Sequence, residues 1–273
     1  MLSAERSASI LAVLMAVQAS LGLLRPEEYR DAEWIKATWY GNDWITLAAA
    51  VPLLCLGMLL ARRGSVRGRL LVLGVSGYAI YNYAFYLFGA ALNTFFPLYA
   101  ASLLLGVVTL GAAVSRLDII RTASLFAPWT PVRLIGGYLV SVGAGLAVIW
   151  LGVWGAYAFA GRPTPIEPEA FKIVAALDLC LMVPALASGG VMLWTRRPVG
   201  YLIATVAAIQ GALYLLVLSV NTASAIRRGL VAAPGELPMW IPLTLFTTIA
   251  AVVLICSASG TAADAGSTAP QVP

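Results

Sequence analysis

The chain has 273 residues, 61% of them hydrophobic and only 11% charged, with a mean hydropathy of +0.89. A soluble domain carries about a quarter of its residues as charges, so the composition excludes an ordinary globular protein and points to one held in lipid. The net charge of +5 is no nucleic-acid footprint, because the Lys and Arg residues lie in short links between apolar runs, and the absence of histidine removes the usual serine-hydrolase base, haem ligand and zinc ligand.

Apolar runs of about 20 residues, each long enough to cross roughly 30 Å of hydrocarbon, recur along the whole chain. They are too long and too continuous for barrel strands, which alternate and are shorter. The expected fold is therefore all-α: a polytopic integral membrane protein with eight transmembrane helices, over residues 7–24, 44–61, 70–90, 97–115, 133–160, 171–194, 199–225 and 238–258.

The first run, "SASILAVLMAVQASLGLL", exceeds a signal-peptide core and ends in a weak cleavage pattern, so it is read as a retained span. The link after it, "RPEEYRDAEWIKATWYGND", predicts an interfacial helix over about residues 26–40 lying on the bilayer. Pro26 would open it, Trp34, Ile35, Thr38 and Trp39 would share one face, and Trp39, Tyr40 and Trp44 would sit at headgroup level. A lid over an outward-facing cavity is the functional alternative.

The second span carries Pro52 and runs into "RRGSVRGR". The third, with "YAIYNYAFYLFGAALNTFF", is polar for a membrane segment. At 100° per residue, Tyr78, Asn82, Phe85, Tyr86, Gly89 and Asn93 fall within one sector. In the fifth span, Ser141 and Gly145 have the small-xxx-small spacing of close helix packing. The sixth holds Asp178 and Pro184, and the seventh has Gln210, Tyr214 and Asn221 on a narrow stripe. The tail, "SASGTAADAGSTAPQVP", is small and polar and is expected to be disordered over residues 259–273.

Loop charges set the orientation. Arginines fill the 2–3, 4–5 and 6–7 links, whereas most carboxylates lie in the others, so the positive-inside rule places both termini in the cytoplasm, in a membrane expected to be the bacterial cytoplasmic one. Arg227 and Arg228 in the 7–8 link run against this pattern.

A tandem repeat is visible at a constant offset. Asn82, Tyr86 and Asn93-Thr94 in one half meet Gln210, Tyr214 and Asn221-Thr222 in the other, and the second and sixth spans share Val-Pro at Val51-Pro52 and Val183-Pro184. Two four-helix halves, residues 1–130 and 131–258, related by an axis along the membrane normal, would account for it.

Polar groups facing lipid would lack partners, so both stripes are expected to point inward. The candidate ligand-binding residues are Tyr78, Asn82, Tyr86, Asn93, Asp178, Gln210, Tyr214 and Asn221. Helix-to-helix hydrogen bonding is the simpler role for any one of them. Asp178 is the strongest suspect, because a mid-helix carboxyl costs about 2.5–3.5 kcal/mol on insertion scales; a rim position is the alternative. Cys55, Cys180 and Cys256 form no CxxC pair and are read as small hydrophobes. No metal or cofactor is expected.

The leading functional expectation is transport or binding of a small, largely apolar solute in a cavity between the halves. An intramembrane enzyme acting on a lipid or isoprenoid-like substrate, with Asp178 as general acid, is the second reading, and a structural membrane subunit the third. The lipid bilayer is the expected partner, with no nucleic acid. Sequence leaves the oligomeric state open.

Overall fold

A computed structural model describes residues 4–260. Eight helices in it are long and apolar enough to cross a membrane: α1 (Ala4–Leu24), α2 (Glu33–Arg62), α3 (Val66–Gly89), α4 (Phe96–Val114), α5 (Val132–Ala160), α6 (Pro168–Trp194), α7 (Pro198–Arg227) and α8 (Leu237–Ser257). The described residues contain no strand, only one isolated bridge between Phe126 and Ala258. This is a multi-pass, all-helical membrane architecture. The expected disordered tail lies mostly outside the described residues. Its first part is held: the Ser259 N–H donates to the Leu125 carbonyl and the Ala127 N–H to that of Ser257.

Two helices form the centre. α3 and α7 pack on each other; α3 also packs on α2 and α4, and α7 on α2, α6 and α8. The outer helices turn apolar side chains away from the bundle, such as Leu134, Val148 and Leu151 on α5 and Leu245 and Ile249 on α8. That distribution suits lipid, which offers apolar groups a solvent and polar groups none.

Glycines set the close approaches. A Cβ at Gly136 of α5 would meet the Gly190 carbonyl of α6 at 2.6 Å, and one at Gly190 would meet the Gly136 carbonyl at 2.7 Å. The expected Ser141–Gly145 lane does not do this work: Ser141 is exposed and nothing lies within 4 Å of a Cβ at Gly145. Small size permits close packing without directing it, and the choice of face falls to the neighbouring glycines.

The first link departs most from expectation. Residues 33–45 are not a separate interfacial helix but the first turns of α2, and Trp39 is fully buried rather than at headgroup level. Its indole stacks on Tyr86 with ring centroids 4.7 Å apart and donates from Nε1 to Asp31 at 2.9 Å. Asp31 also accepts from the Ala91 N–H at 2.8 Å, tying the 1–2 and 3–4 links together. At the same end the Arg228 guanidinium lies 4.2 Å above the Tyr40 ring, which engages one of the two arginines that run against the charge pattern.

α2 and α6 share an irregularity. Each widens into one π turn, Thr46–Ala50 and Asp178–Met182, immediately before its Val-Pro pair. Proline has no N–H and crowds the carbonyl four residues back. The Val51 N–H accordingly reaches the Thr46 carbonyl, and the Val183 N–H that of Asp178, each five residues away.

Candidate functional site

Among the described residues, two carboxyl groups lie inside the bundle. Asp178 opens the π turn of α6, ten residues beyond Pro168, and is 3% exposed, so its carboxyl is enclosed by the helices of the bundle. Its Oδ1 accepts from the Tyr81 hydroxyl of α3 at 2.6 Å, and its Oδ2 from the Trp150 indole N–H of α5 at 2.8 Å. Tyr214 of α7 lies edge-on to Tyr81 with centroids 4.5 Å apart, which brings four helices to this one acid.

Asp43 of α2 is the second carboxyl, fully buried. Its Oδ1 accepts from the Tyr86 hydroxyl at 2.8 Å and from the Gln18 amide at 3.1 Å, and its Oδ2 from the Tyr29 hydroxyl at 2.6 Å. Gln18 also donates to the Tyr29 oxygen at 3.2 Å, closing a ring of polar contacts between α1, α2, α3 and the first link. Burial first, and then the Asp43 carboxyl, pushes the pKa of the Tyr29 phenol, which lies outside the spans, far up, so that it stays a protonated donor. Neither Asp43 nor Asp178 forms an ion pair among the described residues.

The donor chemistry separates the partners into two kinds. An indole N–H and an amide NH₂ can only donate, which fixes the oxygens they bind as acceptors. A phenol both donates and accepts, so Tyr81, Tyr29 and Tyr86 can keep their contacts whether a carboxyl is charged or carries a proton. Both sites therefore combine one fixed donor with at least one reversible one.

The predicted residues divide accordingly. Tyr86 and Asp178 belong to the two carboxyl sites, and Tyr214 supports one of them. Tyr78 is buried and shares a 3.0 Å hydrogen bond with Thr46, the first residue of the other π turn. Gln210 is buried against Gly77 of α3, where a Cβ would lie 2.9 Å from its Oε1. Asn221 is packed against Gly41 of α2, with its Oδ1 unpartnered. Asn82 is buried with neither amide atom hydrogen-bonded. Asn93 does not join the stripe: it lies beyond the end of α3, in a turn where its Oδ1 accepts from the Phe95 N–H at 2.9 Å. The turn breaks the 100° progression on which its placement relied.

Sequence reading missed Asp43, Gln18, Tyr29, Tyr81 and Trp150. A signal for Asp43 was present: Trp39, Asn42, Asp43, Thr46 and Ala50 follow helical spacing and are all buried, continuing one face of α2 through the polar-looking link. The two described cavities are lined by none of the predicted residues; they lie at the opposite end of the bundle, beside the starts of α1 and α3.

Comparison of the chain with protein families, curated proteins and solved structures finds no match among any of the three.

Proposed function

We propose that the protein is a proton-coupled transporter of a small, largely apolar solute, with Asp43 and Asp178 as its two proton-carrying stations. One observation carries the proposal: two buried carboxyls without cations, each held by a phenol that serves both protonation states. A charged acid held only for structure in a membrane interior is normally paired with a cation, whereas intramembrane acids without one are common parts of proton relays.

The matching irregularities of α2 and α6 support the same reading. Thr46 and Asp178 each stand six residues before their proline and each meets a phenol of α3, Tyr78 and Tyr81. Together with the offset matches between α3 and α7, this favours a duplicated four-helix unit, 1–130 and 131–258, with the Arg-rich end and both termini on the cytoplasmic side. Interrupted helices in corresponding positions flank solute sites in duplicated transporters. The solute would enter between α3, α6 and α7, where Tyr81 and Tyr214 offer hydroxyl contacts, so a hydroxyl or carbonyl on an apolar body is the matching chemistry.

Reconstitution into liposomes tests this. Small molecules retained by the gently purified protein are identified by mass spectrometry and applied across a pH gradient. Wild type is expected to give solute uptake with proton movement, and Asp178→Asn to abolish both while the solute still binds. A covalently altered lipid, lost in the same variant, would contradict transport and support the enzyme; unchanged uptake in both Asp43→Asn and Asp178→Asn would sink the role of the acids.

A further inference from the structure

At the end of the bundle that carries the start of α1, a cavity of about 170 Å³ opens between α1, α2, α3 and α4. Its walls are mainly apolar, formed by residues such as Ala8, Met58, Leu73 and Ala113, with Glu5, Arg69 and Arg116 as its charged groups. A second cavity, of about 120 Å³, brings Arg69, Arg116, Arg121 and Asp118 together beside Val66 and Leu125. Arg69 and Arg116 are common to both, so they form the partition between a greasy slot and a basic cleft.

The acids nearby are already engaged. Glu5 lies 3.8 Å from Arg62, and the Asp118 side chain accepts from the Arg121 backbone N–H at 3.0 Å as the cap of the short helix Ile119–Ser124. The Arg69 and Arg116 guanidiniums, by contrast, form no ion pair and no side-chain hydrogen bond among the described residues. Two guanidinium forks left open beside an apolar slot match an anion that carries a hydrocarbon tail. Arginine suits a phosphate in particular, because its planar donors bind two oxygens at once.

We infer that this end of the bundle is a binding site for an anionic phospholipid, with its phosphodiester between Arg69 and Arg116 and the glycerol and first methylenes in the slot. Basic pockets between membrane helices bind anionic headgroups by this combination of charge and burial. The inference is independent of the transport proposal, since it uses no residue of the carboxyl sites.

Native mass spectrometry of the full chain in a neutral detergent tests it, with dioleoylphosphatidylglycerol, dioleoylphosphatidylcholine and inorganic phosphate as probes. Phosphatidylglycerol is expected to bind in preference to phosphatidylcholine, and R69Q/R116Q to weaken it about tenfold or more, the size expected for two cationic contacts at a membrane surface. R69K/R116K keeps the charge but loses the forked donors, so it should bind phosphatidylglycerol more weakly than wild type and more tightly than R69Q/R116Q, an order that separates loss of the site from loss of the fold. Ala113→Leu, which fills the slot without touching charge, should also weaken phosphatidylglycerol. Equal binding of the two lipids, or phosphatidylglycerol binding unchanged in R69Q/R116Q or in Ala113→Leu, would overturn the inference. So would inorganic phosphate that displaces the lipid completely, which would assign the cleft to a free phosphate.

Discussion

Gly22 and Asp43 illustrate how closely the interior is fitted around a single carboxyl. A methyl group at Gly22 would overlap both the Asp43 Oδ2 and the Tyr29 hydroxyl, so the hydrogen bond between them requires a glycine on α1. Gly22→Ala must push one partner aside and is expected to cost about 1–3 kcal/mol, the usual range for overpacking a filled interior. Gly145→Ala places its methyl group in open space and should be near neutral. Thermal melts of the two variants in one detergent check the pair, and equal melting temperatures would mean that Asp43 is not held as described. Asp178 was legible as a candidate buried carboxyl from its residue type and its place in an apolar run, where an acid has no cheap explanation. Asp43 was not, because its neighbours Trp39, Tyr40 and Trp44 look like interfacial anchors. Whether an aromatic faces lipid headgroups or a protein core depends on what packs against it, and here Tyr29, Phe85 and Tyr86 surround Trp39. The same limit hid Tyr81: it lies off the polar stripe of α3, on a face that gains meaning only when α5 and α6 bring Trp150 and Asp178 to it.

At the scale of the helix, hydrophobic run length gave all eight spans, since a bilayer of fixed thickness leaves little freedom in how long a crossing must be. It gave less about their ends, as α2 shows by beginning at Glu33 and not near residue 44. Prolines 52 and 184 were legible as interruptions, but the π turns in front of them were not, because they depend on which carbonyl the next free N–H can reach. A π turn is in effect one extra residue in an α-helix. Leu181 lies within the turn of α6 with a partly exposed side chain. Deleting it should restore α-helical geometry there while leaving the register on either side intact, and the variant is expected to purify as a folded species. Deleting Ala204, fully buried in the regular part of α7, shifts every following side chain by about 100° and should abolish folding. Size-exclusion profiles distinguish the two. Equal collapse of both variants would contradict the widened turn as a local insertion.

For the whole molecule, the central idea is that two carboxyls in different quarters of the bundle serve one process. The packing links them through the centre: α3 supplies Tyr86 to Asp43 and Tyr81 to Asp178, and α7 lies against both α2 and α3. A displacement of α3 would therefore change both sites together, which is what coupling between two proton stations requires. The far end is tied independently, by Arg67 of α3 donating to the Ala258 and Cys256 carbonyls at the end of α8. The most direct test is infrared difference spectroscopy of the protein in lipid as pH is cycled, following the carbonyl stretch of protonated carboxyl groups. Two pH-dependent bands are expected, one missing in Asp43→Asn and the other in Asp178→Asn, with each substitution also shifting the band that remains. A spectrum in which neither substitution removes a pH-dependent band would contradict proton exchange at these sites.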